Sequence, residues 1–182
     1  MRLMLLMPSA NWRWFFEPQH SRLALDLGEE MLFLTPYTPS QLIPDALHGT
    51  AFCAEQAEFY TRCINELGKQ LTLSDPQLVQ IALNATALSF FALPRMPKSW
   101  YFSHSQSIVY SKPAKVCRLD TEQGAGLFVV VQAEERSSLV MLISDSLELG
   151  CNKRLAPFEA IKVMNDRLAP APRAVNHAFT AA

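Results

Sequence analysis

The 182-residue sequence predicts an α+β fold. An N-terminal α/β domain, residues 1–96, packs on a C-terminal β-barrel-like domain, residues 97–182, that carries a terminal helix. Three observations carry this prediction. Short apolar segments, alternating or continuous, fill the first 34 residues and recur after Trp100, as strands require. Between them, apolar residues repeat at helical spacing over two longer stretches. Pro94 and Pro97 then interrupt the pattern and mark the division between the two parts.

Taken in order, Trp12-Arg13-Trp14-Phe15-Phe16 is an aromatic run of high strand propensity, with Trp12 and Trp14 on one face and core packing expected there. Glu17 to His20 reads as a turn. Arg22 to Leu27 alternates with period two and puts Leu23, Leu25 and Leu27 together. Gly28-Glu29-Glu30 turns the chain into the short strand Met31 to Leu34, which completes an antiparallel meander. Pro36, Pro39 and Pro44 make the stretch from Thr35 to Gly49 a surface loop.

Tyr60, Cys63, Ile64 and Leu67 define the first helix, with Gly68 expected as its C-terminal cap. Ser74-Asp75-Pro76-Gln77 has the form of a capping box and opens the second helix, which continues through Leu78, Ile81, Ala82, Ala85 and Leu88. Beyond Trp100 the expected strands are Tyr101-Phe102, Ile108 to Tyr110, Val116 to Leu119, Leu127 to Val131, Leu139 to Ile143 and Leu147 to Cys151. The continuous runs at 127–131 and 139–143 predict strands buried on both faces. Phe158, Ile161, Met164 and Leu168, between Pro157 and Pro170, predict the final helix, and a loose tail follows.

Composition excludes several classes of function. Hydrophobic residues make up 49% and charged residues 18%, which is globular. The net charge of -1 leaves no overall basic footprint for nucleic acid. The apolar run Leu3 to Met7 is shorter than the roughly 7–15 residues of a signal-peptide core, and no stretch approaches the ~18 apolar residues of a membrane span. A soluble, cytoplasmic protein is expected. Cys53, Cys63, Cys117 and Cys151 form no Cys-x-x-Cys pair and read as reduced, small apolar side chains.

No catalytic pattern emerges. His20, His48 and His104 fall in turns or loops and His177 in the tail. There is no nucleophile elbow, no zinc-ligand spacing and no phosphate-binding loop, since Gly124-Ala125-Gly126 precedes a strand. No cofactor is expected. An unusual small-molecule site around Cys53, Cys63 or His104 is one rival reading. A nucleic-acid module that stacks bases on Tyr101, Phe102 and Tyr110 is the alternative function.

Two features resemble binding equipment instead. Arg95 and Lys98 flank Met96-Pro97 beside Trp100, which places cations, an apolar surface and a large aromatic together. Trp100 is equally readable as a core residue at the domain junction. Lys162 and Arg167, with Lys153 and Arg154 upstream, offer a second group of cations.

These residues resemble a known family. Asn11-Trp12-Arg13-Trp14, Leu25-Asp26-Leu27, Met31-Leu32-Phe33, Met96-Pro97-Lys98-Ser99-Trp100 and Ile161 to Leu168 occur in the order and spacing of the ZapC family of gammaproteobacterial cell-division proteins. The resemblance implies a twisted, barrel-like second domain and no catalytic site. It implies a monomer in the cytoplasm, at midcell with the Z-ring, that binds FtsZ directly, bundles its protofilaments, stabilises the polymer and restrains its GTPase activity. Three features depart from the family pattern that the resemblance implies: Leu34 to Gln41 carries no basic residue where that loop can be basic, Leu93 stands where the pattern can have a lysine, and the apolar N-terminus is extra. The expected contact surface joins an apolar pocket around Leu25 to Trp100 and the cations Arg95, Lys98, Lys162 and Arg167, and the C-terminal tail of FtsZ is its expected ligand. Bundling then needs either two surfaces on one monomer or self-association.

Overall fold

Residues 5–172 are described by a computed structural model; the expected loose tail, including His177, and the first four residues lie outside this range. The meander forms as β1 (Arg13–Glu17), β2 (Arg22–Gly28) and β3 (Met31–Leu34), joined by β4 (Thr50–Ala51) in the order β3-β2-β1-β4. All pairs are antiparallel, and Trp14 stands directly opposite Leu25. Trp12, Trp14, Leu23 and Leu25 are all buried. The Trp14 indole N–H, which would be costly to leave unpaired there, donates to Gln56 Oε1 at 2.8 Å.

The two helices are α1 (Ala54–Gln70) and α2 (Asp75–Phe91). α1 passes Gly68 by two residues, because the Gln70 amide has tertiary partners that hold the last turn. Its Nε2 donates to Glu66 O and Ala114 O, and its Oε1 accepts from Val116 N. The capping box of α2 is formed as expected, with Ser74 N donating to Gln77 Oε1 and Gln77 N donating to Ser74 Oγ. Ser74→Ala is expected to cost about 1 kcal/mol, a fall of roughly 2–4 °C in a thermal melt. α2 is buried around most of its circumference, which suits a helix enclosed between α1 and a sheet.

That sheet contains β5 (Val116–Thr121), β6 (Gly124–Ala133), β7 (Ser137–Leu142), β10 (Ala160–Met164) and β11 (Ala169–Pro170), in the order β10-β7-β6-β5-β11. β8 (Leu147–Gly150) and β9 (Lys153–Leu155) form a separate hairpin. Val129, Val131 and Met141 face the core shared with α1, α2 and Trp14, whereas Phe128, Val130, Val140 and Leu142 face a second core closed by Leu147, Leu155 and Leu168. The continuous apolar runs therefore have the double-sided burial their composition predicts.

Four local expectations are corrected. The terminal helix is absent: residues 160–164 are strand β10, paired antiparallel with β7, and a 3-10 turn Asn165–Arg167 follows. Ile161 and Val163 also satisfy a period of two, and pairing with the fully buried strand β7 outweighs four apolar residues at roughly helical spacing. Tyr101-Phe102 and 108–110 are not strands; Ser99–Tyr101 is a 3-10 turn, and the next stretch finds scattered partners such as Ser103 N with Asp120 O. β9 was not foreseen. The stretch 35–49 is not a surface loop throughout, because Thr35, Tyr37, Leu42 and Ala46 are buried and the Tyr37 hydroxyl donates to Phe158 O at 2.8 Å.

Candidate partner-binding site

β10 is an edge strand, so its outward backbone groups need partners. The segment after α2 supplies them. Lys98 N donates to Lys162 O at 2.8 Å, Met164 N donates to Ser99 Oγ at 2.7 Å, and Arg95 Nη1 donates to Ala160 O at 2.6 Å. Arg167 Nε completes the clamp by donating to Ser99 O at 3.1 Å. With its backbone and Ser99 turned inward, the segment has to present Met96 and Trp100 outward. Met96 is 80% exposed and Trp100 is 70% exposed, so Trp100 is no core residue at the junction.

Beside this clamp lies a pocket of about 300 Å³. Arg95, Lys98, Lys153, Arg154 and Lys162 line it, with Glu159 as its one carboxylate among the described residues. Tyr101, Leu149, Leu155 and Ile161 provide apolar surface. Tyr101 and Leu149 also border an adjoining hollow of about 560 Å³ that includes Trp100, Gly150 and Cys151. The two hollows thus share a boundary, and the Trp100 and Tyr101 rings sit 5.6 Å apart there.

The cations are not equivalent. Lys162 Nζ pairs with Glu134 at 2.8 Å, and this hydrogen bond, with one from Ser137, holds the Glu134 carboxyl below its ordinary value. Arg154 pairs with Glu148 at 3.3 Å. Desolvation lowers the pKa of Arg95, opposed by Tyr37 and Glu159, and the side chain is committed to the Ala160 carbonyl. Among the described residues, Lys98 and Lys153 enter no ion pair, and both are exposed. They are the charges most available to an incoming anion. The arrangement suits an acidic polypeptide surface bearing an apolar side chain.

Arg95, Lys98 and Lys162, expected as contacts, therefore meet at one pocket, and Trp100 lines the adjoining hollow. Two expected residues do not. Arg167 is half-buried under Ser99, contacting His104 and Asp166, and it props the clamp. Leu25 is 0% exposed, opposite Trp14 inside the core, so it supports the sheet without meeting solvent. Leu149, Leu155 and Glu159 were missed. Their signal was the alternation of Leu147, Leu149 and Leu155 around the Cys151-Asn152 turn, where both residues have positive φ.

The rival sites fare differently from the pocket. Phe102 is buried and packs edge-on against Phe128, and Tyr110 borders another groove, so the three aromatics form no common stacking face. Cys63 and Cys117 are buried, and burial pushes each thiol up to about 12, which disfavours a reactive thiolate. No helix among the described residues is long and apolar enough to cross a membrane.

Comparison with known proteins adds a family. A family model described as cell-division protein ZapC, N-terminal, matches residues 5–93, and one described as cell-division protein ZapC, C-terminal, matches residues 94–174. A cell division protein ZapC of Ferrimonas balearica is 49% identical over 167 residues, covering 92% of this chain and 93% of that protein. Its counterpart in Shewanella oneidensis is 44% identical, covering 98% of this chain and all of that protein. A third, from Aeromonas hydrophila, is 36% identical over 93% of this chain and 94% of its own length.

Proposed function

The chain belongs to the ZapC family of cell-division proteins, and from that premise we propose that it binds FtsZ directly through the cationic pocket beside β10. It acts in the cytoplasm at midcell with the Z-ring, as a binder without a catalytic centre. The observation that carries this reading is the pocket itself: five cations converge on apolar surface, with two lysines free of ion pairs among the described residues. Apolar burial against Tyr101, Leu155 and Ile161 supplies affinity, and the lysines supply orientation and encounter rate.

Binding that favours polymer over free subunits shifts assembly toward polymer by mass action. Protofilaments held side by side lose subunits more slowly. GTP turnover, which follows subunit exchange, then slows without any contact with the nucleotide. This is the proposed route to bundling, polymer stabilisation and restrained GTPase activity.

Co-sedimentation with GTP-assembled FtsZ tests the reading. The protein is expected in the pellet with polymer and not without it. Because exposed lysines contribute, pelleting falls between about 50 mM and 300 mM salt, as screening shortens to a Debye length below ~10 Å. Polymers of FtsZ lacking its C-terminal tail locate the acidic element: retained pelleting puts it on the globular body, lost pelleting on the tail. No enrichment with either polymer, over a wide range of concentration, overturns the proposal.

A further inference from the structure

A second groove, of about 640 Å³, lies between the end of α1, the turn before β5 and the chain leaving β11. Its walls carry Lys69, Lys112 and Lys115, and no carboxylate lines it among the described residues. Ile108 and Tyr110 border it at 89% and 86% exposure, the highest values of the exposed large hydrophobic side chains described. The wall is held in place: Lys115 N donates to Lys112 O, and Gln70 bonds Ala114 O and Val116 N on either side of Lys115. This groove sits at the β11 edge, whereas the pocket described above sits at the β10 edge. In the order β10-β7-β6-β5-β11 these are opposite edges of one sheet. Four strand spacings, roughly 19 Å, separate them.

We propose that this groove is a second docking surface, which takes an acidic segment with an apolar side chain from a second FtsZ subunit, so that one monomer bridges two protofilaments. The proposal rests on the FtsZ reading of the first pocket. Charge decides the occupant: Lys69 is paired with Glu66 at 3.1 Å, and Lys112 and Lys115, which enter no ion pair among the described residues, repel another cationic surface and attract an acidic one. Tyr110 and Ile108 offer the apolar contact, and Tyr is well suited to that role because it buries much area at little conformational cost. Opposed placement across the sheet explains bridging, because two ligands held on opposite edges do not compete for space. The bridge then owes its strength to simultaneous engagement of both sites.

The test compares low-speed sedimentation, which collects bundles, with high-speed sedimentation, which collects single polymers. The variant is Tyr110→Ser with Lys112→Glu, both exposed positions, and a thermal melt like that of the unaltered protein verifies its fold. The variant is expected to remain with polymer at high speed, while the low-speed pellet falls by about tenfold or more, since bivalency raises avidity by roughly 10²–10⁴. Equal bundling by the variant and the unaltered protein overturns the second surface and leaves the first reading intact. Failure of the unaltered protein to pellet at high speed overturns the first reading and this one with it. Three further outcomes overturn the assigned occupant: a dimer in sedimentation velocity that the variant abolishes, retention of a single-stranded oligonucleotide that the variant abolishes, and bundling that appears only after removal of residues 173–182.

Discussion

Reversing both unpaired charges of the first pocket, Lys98→Glu with Lys153→Glu, is expected to weaken the proposed binding to FtsZ by about 2 kcal/mol, roughly thirtyfold in Kd. The choice of residues follows from their bonding. Arg95 holds the Ala160 carbonyl and Arg167 holds the Ser99 carbonyl, so replacing either disturbs the clamp on β10 as well as the charge. Lys98 and Lys153 are exposed and contribute only long-range field and contact to a partner. The thermal midpoint is therefore expected to stay within about 1 °C, as for ordinary surface substitutions. Co-sedimentation titrations with the double variant measure the loss, with Lys98→Arg and Lys153→Arg as the charge-preserving control. Binding that is unchanged by reversal but sensitive to Trp100→Ala would transfer the contact to the adjoining aromatic hollow.

Leu25→Ala is expected to cost about 3 kcal/mol of stability, within the range for a buried leucine, and to lower the midpoint by roughly 10 °C. Leu25 lies opposite Trp14 with no exposed surface, and its removal leaves a void beside an indole that is already pinned to Gln56. At a temperature where the variant is fully folded, its affinity for FtsZ polymer should match that of the unaltered protein. Denaturant unfolding followed by Trp fluorescence gives the first quantity, and co-sedimentation at low temperature gives the second. A folded variant with normal stability and lost binding would make Leu25 a contact after all, exposed by a rearrangement on binding.

The two expectations differ because similar sequence signals had different physical fates. The contact surface expected with the family resemblance includes both Leu25, on a strand of period two, and Trp100, in a Pro-bounded aromatic segment. Alternation identifies the face on which Leu25 sits, but it leaves open whether that face meets solvent or another layer. Here α1 and α2 cover it. Trp100 had the opposite outcome, because the backbone of its segment spends its inward side on the edge of β10. The cations Arg95, Lys98 and Lys162 were legible as charges near apolar residues. Lys153 and Arg154 are legible as upstream companions of Lys162, but their approach to Arg95 and Lys98 is not, since the hairpin through β9 brings those two across.

Local rules did well where the partners are local. The capping box of α2 joins residues three apart, and the double-sided strands at 127–131 and 139–143 declare themselves by continuous apolar runs. By itself the sequence determined the α+β class, the two central helices, the N-terminal meander and the resemblance to the ZapC family, because each rests on spacing or identity along the chain. Only the tertiary structure decided that residues 160–164 are a strand, that Leu25 is covered, that Trp100 faces water and that cations tens of residues apart line one pocket. Those outcomes depend on which distant segments exclude water from one another and which backbone edges they satisfy, and no local period encodes that.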